Sequence, residues 1–289
     1  MDRDRAIFKV RVSIHTIGVL VTKEIIDSLR NRWFYAFLAI FLVLSFSIIF
    51  LGIFGNNSIG FESFNRTTAS LLNLILFLIP VITLLLGGTS ISSERELGTM
   101  NLVLSKPINA TELIIGKYLG IAIVLIASIA IGFGLMGMII AFTVSAVEAE
   151  AYLLFVALSA LLALSFLSIS MLISVLAQKR ITAIIISIVV WFFFILVYDI
   201  IVMTAANLFS SEAMPTFLLA SILLNPAGTV RILATVSLGG QTIFGPSLIE
   251  LTRMVTTVSS EAIMILGICA WIVVPLLLSI FFFKRSVKK

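Results

Sequence analysis

The sequence predicts an all-α polytopic membrane protein with six transmembrane helices. It also predicts an N-terminal amphipathic interfacial helix, a short cytoplasmic helix between the second and third spans, and outer re-entrant or interfacial helices before the last span. Three observations carry this. Of 289 residues 61% are apolar and 11% charged, with a mean hydropathy of +1.23, far from the roughly 25% charged of a soluble domain. The charged residues leave six intervals long enough to cross a bilayer, which takes about 20 apolar residues at about 1.5 Å each. Finally, Lys and Arg fall almost wholly on alternate loops.

In chain order, residues 1–32 form a cytoplasmic amphipathic helix. Ile7, Val10, Ile14, Ile17, Val21, Ile25 and Leu29 recur every three or four residues, with Lys9, Ser13, Thr16, Lys23, Asp27 and Arg30 on the other faces. A basic amphipathic helix of this kind lies in the membrane interface, its apolar side in lipid and its cations near phosphates. Packing on a soluble partner is the alternative. No cleavable signal is evident, because the first apolar run starts only after some thirty residues rich in both charges.

Residues 33–289 form a single transmembrane domain with spans near 33–54, 68–92, 116–142, 151–177, 181–203 and 262–283. With the N-terminus inside, only Arg66, Arg231 and Arg253 of the nineteen Lys and Arg fall outside. That bias places both termini in the cytoplasm of a cell-membrane protein. It also accounts for the net charge of +5 without nucleic acid.

The outer segment 204–260 contains two nearly uncharged stretches, 213–230 and 232–249. Pro215 and the Asn225-Pro226-Ala227-Gly228 break interrupt the first, and Gly239-Gly240 and Gly245-Pro246 the second. One extra crossing would put the basic tail from Lys284 outside. Two short re-entrant or outer-leaflet helices keep the parity, as would a pair of extra spans; irregular backbone at that depth must be buried in protein or line water.

The stretch 93–106 joins the second and third spans. Ser93 and Glu96 have capping-box spacing, Glu94 and Glu96 suit a helix N-terminus, and Pro107 stops continuation. Leu97, Met100, Val103 and Leu104 would share one face. Asn109 and Glu112 repeat the capping spacing before the third span. On spacing alone this is either a solvated loop or a handle for a cytosolic partner.

The run Glu94-Arg95-Glu96-x-Gly98-Thr99-Met100, then Leu104-Ser105-x-Pro107-Ile108 and Gly116-Lys117-Tyr118-Leu119-Gly120, resembles the signature of ABC type-2 exporter permeases. The opening Lys23-Glu24-Ile25-x-Asp27-x-Leu29-Arg30-Asn31-Arg32-Trp33, with Gly60-Phe61 and Ala69-Ser70-Leu71, resembles the NosY-like branch, the permease beside the ATPase in nitrous-oxide-reductase maturation. The similarity is strongest over the first 120 residues; beyond them it rests mainly on topology and Asn225-Pro226. The resemblance implies that 93–106 is a coupling helix docking into a separate ABC ATPase. Glu94, Arg95, Glu96, Leu97, Gly98, Thr99 and Met100 would then transmit ATP-driven closure to the spans.

This chain has no Gly-x-x-x-x-Gly-Lys-Ser/Thr loop, so ATP and Mg belong on the partner, and no cofactor is expected here. The resemblance further implies two permease copies or a copy with a paralogue, and leaves open an extracytoplasmic accessory protein. Gly116 and Gly120 have the spacing of close helix packing, within one subunit or between two. Asn225, Pro226 and Arg231 are candidates for an outer gate.

Three functions from different classes follow: export, mechanical transmission to an extracytoplasmic protein, and intramembrane enzymology. The last lacks its residues. His15 and Cys269 are single and form no metal or nucleophile set, and Met136 and Met138, two apart, diverge on a helix. Asp199, beside Tyr198, reads as an interfacial anchor or an ion site. Ser168 and Ser170 read as bonded to their own helix, and Asn65-Arg66-Thr67 as a chance glycosylation pattern in an outer loop.

Overall fold

A computed structural model describes residues 13–54, 61–106, 108–143, 146–209, 213–237 and 258–287. Every regular element among them is helical. α1 (Ile14–Leu29) starts at Ser13, whose extended backbone and side-chain oxygen, accepting the Thr16 N–H, form an N-cap. α2 spans Arg32–Phe54 and α3 Phe61–Ser90, with Pro80 inside it. α4 (Ser92–Glu96) and α5 (Thr99–Leu104) are each shorter than two turns. α6 is Ala110–Thr143 and α7 Ala146–Leu176. α8 (Arg180–Phe192) runs through a π-helical segment, Phe193–Val197, into α9 (Tyr198–Ala206). α10 (Met214–Leu223) and α11 (Pro226–Ser237) precede α12 (Val258–Val287), which contains Pro275.

α7 is the axis of the packing. It lies against α3, α6, α11 and α12, and its Leu162, Ala163, Phe166, Leu167 and Met171 are completely buried. Phe133 of α6 meets Phe41 of α2, and Tyr152 and Phe155 of α7, edge-on. α8, α9 and α12 instead present Ile185, Val189, Ile200, Leu266 and Leu277 outward, which a protein surrounded by lipid can do without cost.

Five helical stretches among the described residues are long and apolar enough to cross a membrane: Ser70–Glu96, Ala110–Gly134, Tyr152–Leu176, Arg180–Ala206 and Ala262–Ser286. Two bent pairs raise the number to seven at most. Ile14–Leu29 with Phe34–Ile48 turns by 68°, and Thr216–Leu223 with Pro226–Val236 by 112°. The structure therefore gives a range around the six spans expected.

Several local readings change. Residues 65–67 lie inside α3 rather than in a loop. Pro215 opens α10 instead of breaking a span, as suits a residue with no N–H to lose there. Gly239, Gly240, Gly245 and Pro246 lie outside the described residues, as do the side chains of Met136 and Met138. The fifth span is not uniformly α-helical: Tyr198 N–H donates to Phe193 O, five residues back. Ser168 and Ser170 do bond carbonyls of their own helix, those of Leu164 and Leu167.

Candidate functional site

Among the described residues Lys23, Arg95, Lys106, Lys117 and Arg180 gather at one end of the bundle. There the start of α6, the α7–α8 corner and the end of α12 meet α1, α4 and α5. One apolar cluster, including Leu20, Ile91, Met100, Leu113, Tyr118 and Phe283, underlies them. The expected single helix over 93–106 is two helices meeting at Gly98, whose φ of 73° is the left-handed conformation that glycine adopts without a Cβ clash. Ser93 is not the N-cap. Ile91 occupies that position without a side-chain bond of its own, because the chain arrives already helical from α3.

What fixes this corner is a set of bonds to other helices. Ser174 Oγ of α7, fully buried, accepts the N–H groups of Ile91 (2.9 Å) and Ser92 (3.1 Å). These are donors that a helix start leaves open. Arg95 donates from Nη1 to the carbonyls of Val175 and Ala177, both at 2.9 Å, closing the C-terminal end of α7. Glu96 Oε2 accepts the N–H of Arg180 at 2.6 Å, at the start of α8. A cation on a helix C-terminus and an anion on an N-terminus each match the local dipole.

A four-charge node holds the other side. Lys117 of α6, with 4% of its side chain exposed, donates to Glu24 of α1 at 2.9 Å and Glu94 of α4 at 3.1 Å. It also donates to the carbonyl of Ser90 at 3.2 Å. Lys23 reaches Glu94 at 2.7 Å. Two cations and two carboxylates thus balance where α1, α3, α4 and α6 converge, which is what permits ionised groups at such burial. One oxygen, Glu94 Oε2, is buried without a bonded partner.

Gly116 and Gly120 make the node geometrically accessible. A Cβ on Gly116 would stand 2.6 Å from Leu20 Cβ, and one on Gly120 2.6 Å from Glu24 Cβ. They face α1 of the same chain. Glu112 adds the last tie: its two oxygens accept the N–H of Asn109 (2.8 Å) and of Ser13 (2.6 Å), joining the starts of α6 and α1. The face of α1 turned to the bundle is therefore Ser13, Leu20 and Glu24. That face lies about a quarter turn from the expected apolar stripe, which leaves Ile14 and Leu29 exposed.

Of the predicted coupling residues, Glu94 and Arg95 are turned inward, Met100 is buried, and Leu97 is 76% exposed. Leu102, which the sequence reading did not single out, is 69% exposed. Lys117, Glu24 and Ser174 were also missed as a group. Lys117, seven residues inside an apolar helix, was the available signal.

Residues 19–286 match the ABC-2 family transporter protein, a match that begins on α1 and ends on the last turn of α12. The chain belongs to the ABC-2 transporter family. Two relatives are both described as "Probable ABC transporter permease protein NosY". That of Stutzerimonas stutzeri is 33% identical over 270 residues, 92% of this chain and 97% of the relative. That of Pseudomonas aeruginosa is 34% identical over 221 residues, 75% and 80% of the two chains.

At the opposite end, the outer-gate candidates of this ABC-2 chain are joined to the π segment and α9. Arg231 pairs with Asp199 at 2.7 Å, so Asp199 is an ion-pair partner. Asn225 Nδ2 donates to Phe194 O in the π segment (2.9 Å), while its Oδ1 accepts the Ala227 N–H (3.0 Å). Pro226 takes the first position of α11, where no N–H is needed. Tyr198 and Trp271 donate to the carbonyls of Ser221 and Leu223. The 112° break is thus lined with satisfied backbone, the condition for irregular backbone inside a bilayer.

Proposed function

We propose that this chain is the permease subunit of an ATP-binding-cassette transporter. A separate ATPase carrying ATP and Mg drives it through the α4–α5 corner, and it works as a homodimer or with a paralogue. The basic end faces the cytoplasm together with both termini, in the plasma membrane. The chain crosses six times, α1 lying at the interface and α10–α11 re-entering from the outer side. The observation that carries this reading is the α4–α5 corner itself. It offers exposed Leu97 and Leu102 outward while Ser174, Arg95, Glu96 and Lys117 bind it to α6, α7 and α8. A push on α5 reaches three spans through bonds rather than through a loose loop. Transport is outward.

A second reading keeps the same machine and passes force to an extracytoplasmic protein. Two observations favour it: the relatives' NosY description, and the attachment of α10–α11 to the fifth span by Asp199–Arg231 and Asn225–Phe194. That attachment makes the outer helices move with the spans. The test is copurification from native membranes. Wild type should bring an ABC ATPase with it, and Leu97→Asp with Leu102→Asp should lose it while remaining inserted. A secreted companion in the same complex supports the second reading. An ATPase retained by the double variant would remove α4–α5 as the docking element, and no ATPase with wild type would remove the assignment.

A further inference from the structure

Between α1, α5 and the start of α6 lies an open cleft of about 420 Å³. Its walls are of two kinds. Val19 and Leu102, 58% and 69% exposed, and half-buried Val103 make an apolar side. Lys23, Lys106 and Lys117 line the same cleft, Lys23 one turn from Val19 on α1 and Lys106 one turn from Leu102. Lys117 is neutralised by Glu24 and Glu94, and Lys23 shares Glu94 with it. Lys23 also lies 3.8 Å from Asp27, whereas Lys106 has no carboxylate within 4 Å among the described residues, so Lys106 is the unpaired cation of the cleft.

Its depth is set by α1, which advances along the first turns of α6. Ser13 meets Glu112, Leu20 meets Gly116, and Glu24 meets Gly120. Since α6 is a membrane-crossing helix, its first turns mark the edge of the bilayer, where lipid headgroups lie and where lysines attract anionic ones.

We propose that this cleft is a binding site for an anionic phospholipid, its phosphate at Lys106 and Lys23 and its acyl chains against Val19 and Leu102. The site needs only the membrane setting, although Leu102 on its rim also belongs to the corner proposed to dock the ATPase. A bound lipid wedges α1 and α5 in fixed relation, so membrane composition would tune the corner.

The test is native mass spectrometry of the delipidated chain titrated with phosphatidylglycerol or phosphatidylcholine. Wild type should retain phosphatidylglycerol preferentially. Lys106→Gln should lower its retention about fivefold, the factor equivalent to about 1 kcal/mol for one lysine beside an anionic headgroup. Val19→Trp, which fills the apolar wall, should lower retention of the lipid without removing charge. Unchanged melting of both variants in lipid-free detergent shows that they fold. Equal retention of the two lipids, or full retention by Lys106→Gln, would overturn the site. So would displacement by glycerol phosphate at matched concentration, which would mean that phosphate alone is read. Loss of the ATPase in Lys106→Gln with lipid retention intact would assign the cleft to the protein interface and overturn the lipid.

Discussion

Replacing Lys117 with Met tests the charged node directly. The ammonium has three acceptors within 3.2 Å, on Glu24, Glu94 and Ser90. Its removal leaves Glu94 with Lys23, whose side chain is 46% exposed, but takes from Glu24 its ion-pair partner at 8% side-chain exposure. Breaking a buried pair from one side costs about 3 to 5 kcal/mol, because the surviving charge keeps its desolvation and loses its compensation. At roughly 2 to 3 °C per kcal/mol for a chain of this length, the melting midpoint should fall by about 6 to 15 °C. Scanning fluorimetry in one detergent, at constant protein concentration, measures it. The penalty belongs to ionised Glu24, so it should shrink as the pH is lowered and that carboxylate takes up a proton. Replacing Glu24 with Met as well removes the orphaned charge and should recover most of the loss, as apolar substitutes for buried pairs do. A double variant as unstable as the single one, or a single variant within about 2 °C of wild type, would refute the node as an ion-pair lock.

Gly120→Val should detach α1, since even a Cβ would meet Glu24 Cβ at 2.6 Å and Val21 O at 3.0 Å; faster tryptic cleavage at Lys23 and Arg30, with the spans intact, is the readout. Gly98→Ala meets nothing sterically, so its cost is the left-handed backbone alone, about 1 to 2 kcal/mol. Gly98→Asn should cost less in the same melting assay. Asn225→Leu strips bonds from Phe194 O and the Ala227 N–H. At about 1 to 3 kcal/mol for each buried group left unsatisfied, it should lower the midpoint by several degrees and raise hydrogen exchange in α10–α11.

The ABC-2 assignment was legible because it rests on local chemistry: residues 94–100, 104–108 and 116–120, and the opening of α1. The Asn109–Glu112 capping spacing was equally local and is realised in the bond from the Asn109 N–H to Glu112. The roles of Glu94 and Arg95 were not legible in the same way. Their spacing suits an exposed helix contacting a partner, yet the structure turns both inward because Lys117 and the end of α7 arrive from elsewhere in the chain. Asp199 was ambiguous for the same reason, since Arg231 is thirty-two residues away.

By itself the sequence determined what depends on composition and short-range period: helices with membrane-length apolar runs, a break at Asn225-Pro226 and the Asn109–Glu112 cap. Hydropathy and capping are properties of neighbouring residues, and neighbours are what a sequence displays. Only the tertiary structure decided which face of α1 is buried, that Gly116 and Gly120 admit it, and that Lys117 stands between two carboxylates. A buried charge is tolerated only where its partners converge in space, and that convergence is set by how α1, α4 and α6 pack. No stretch of the chain contains it.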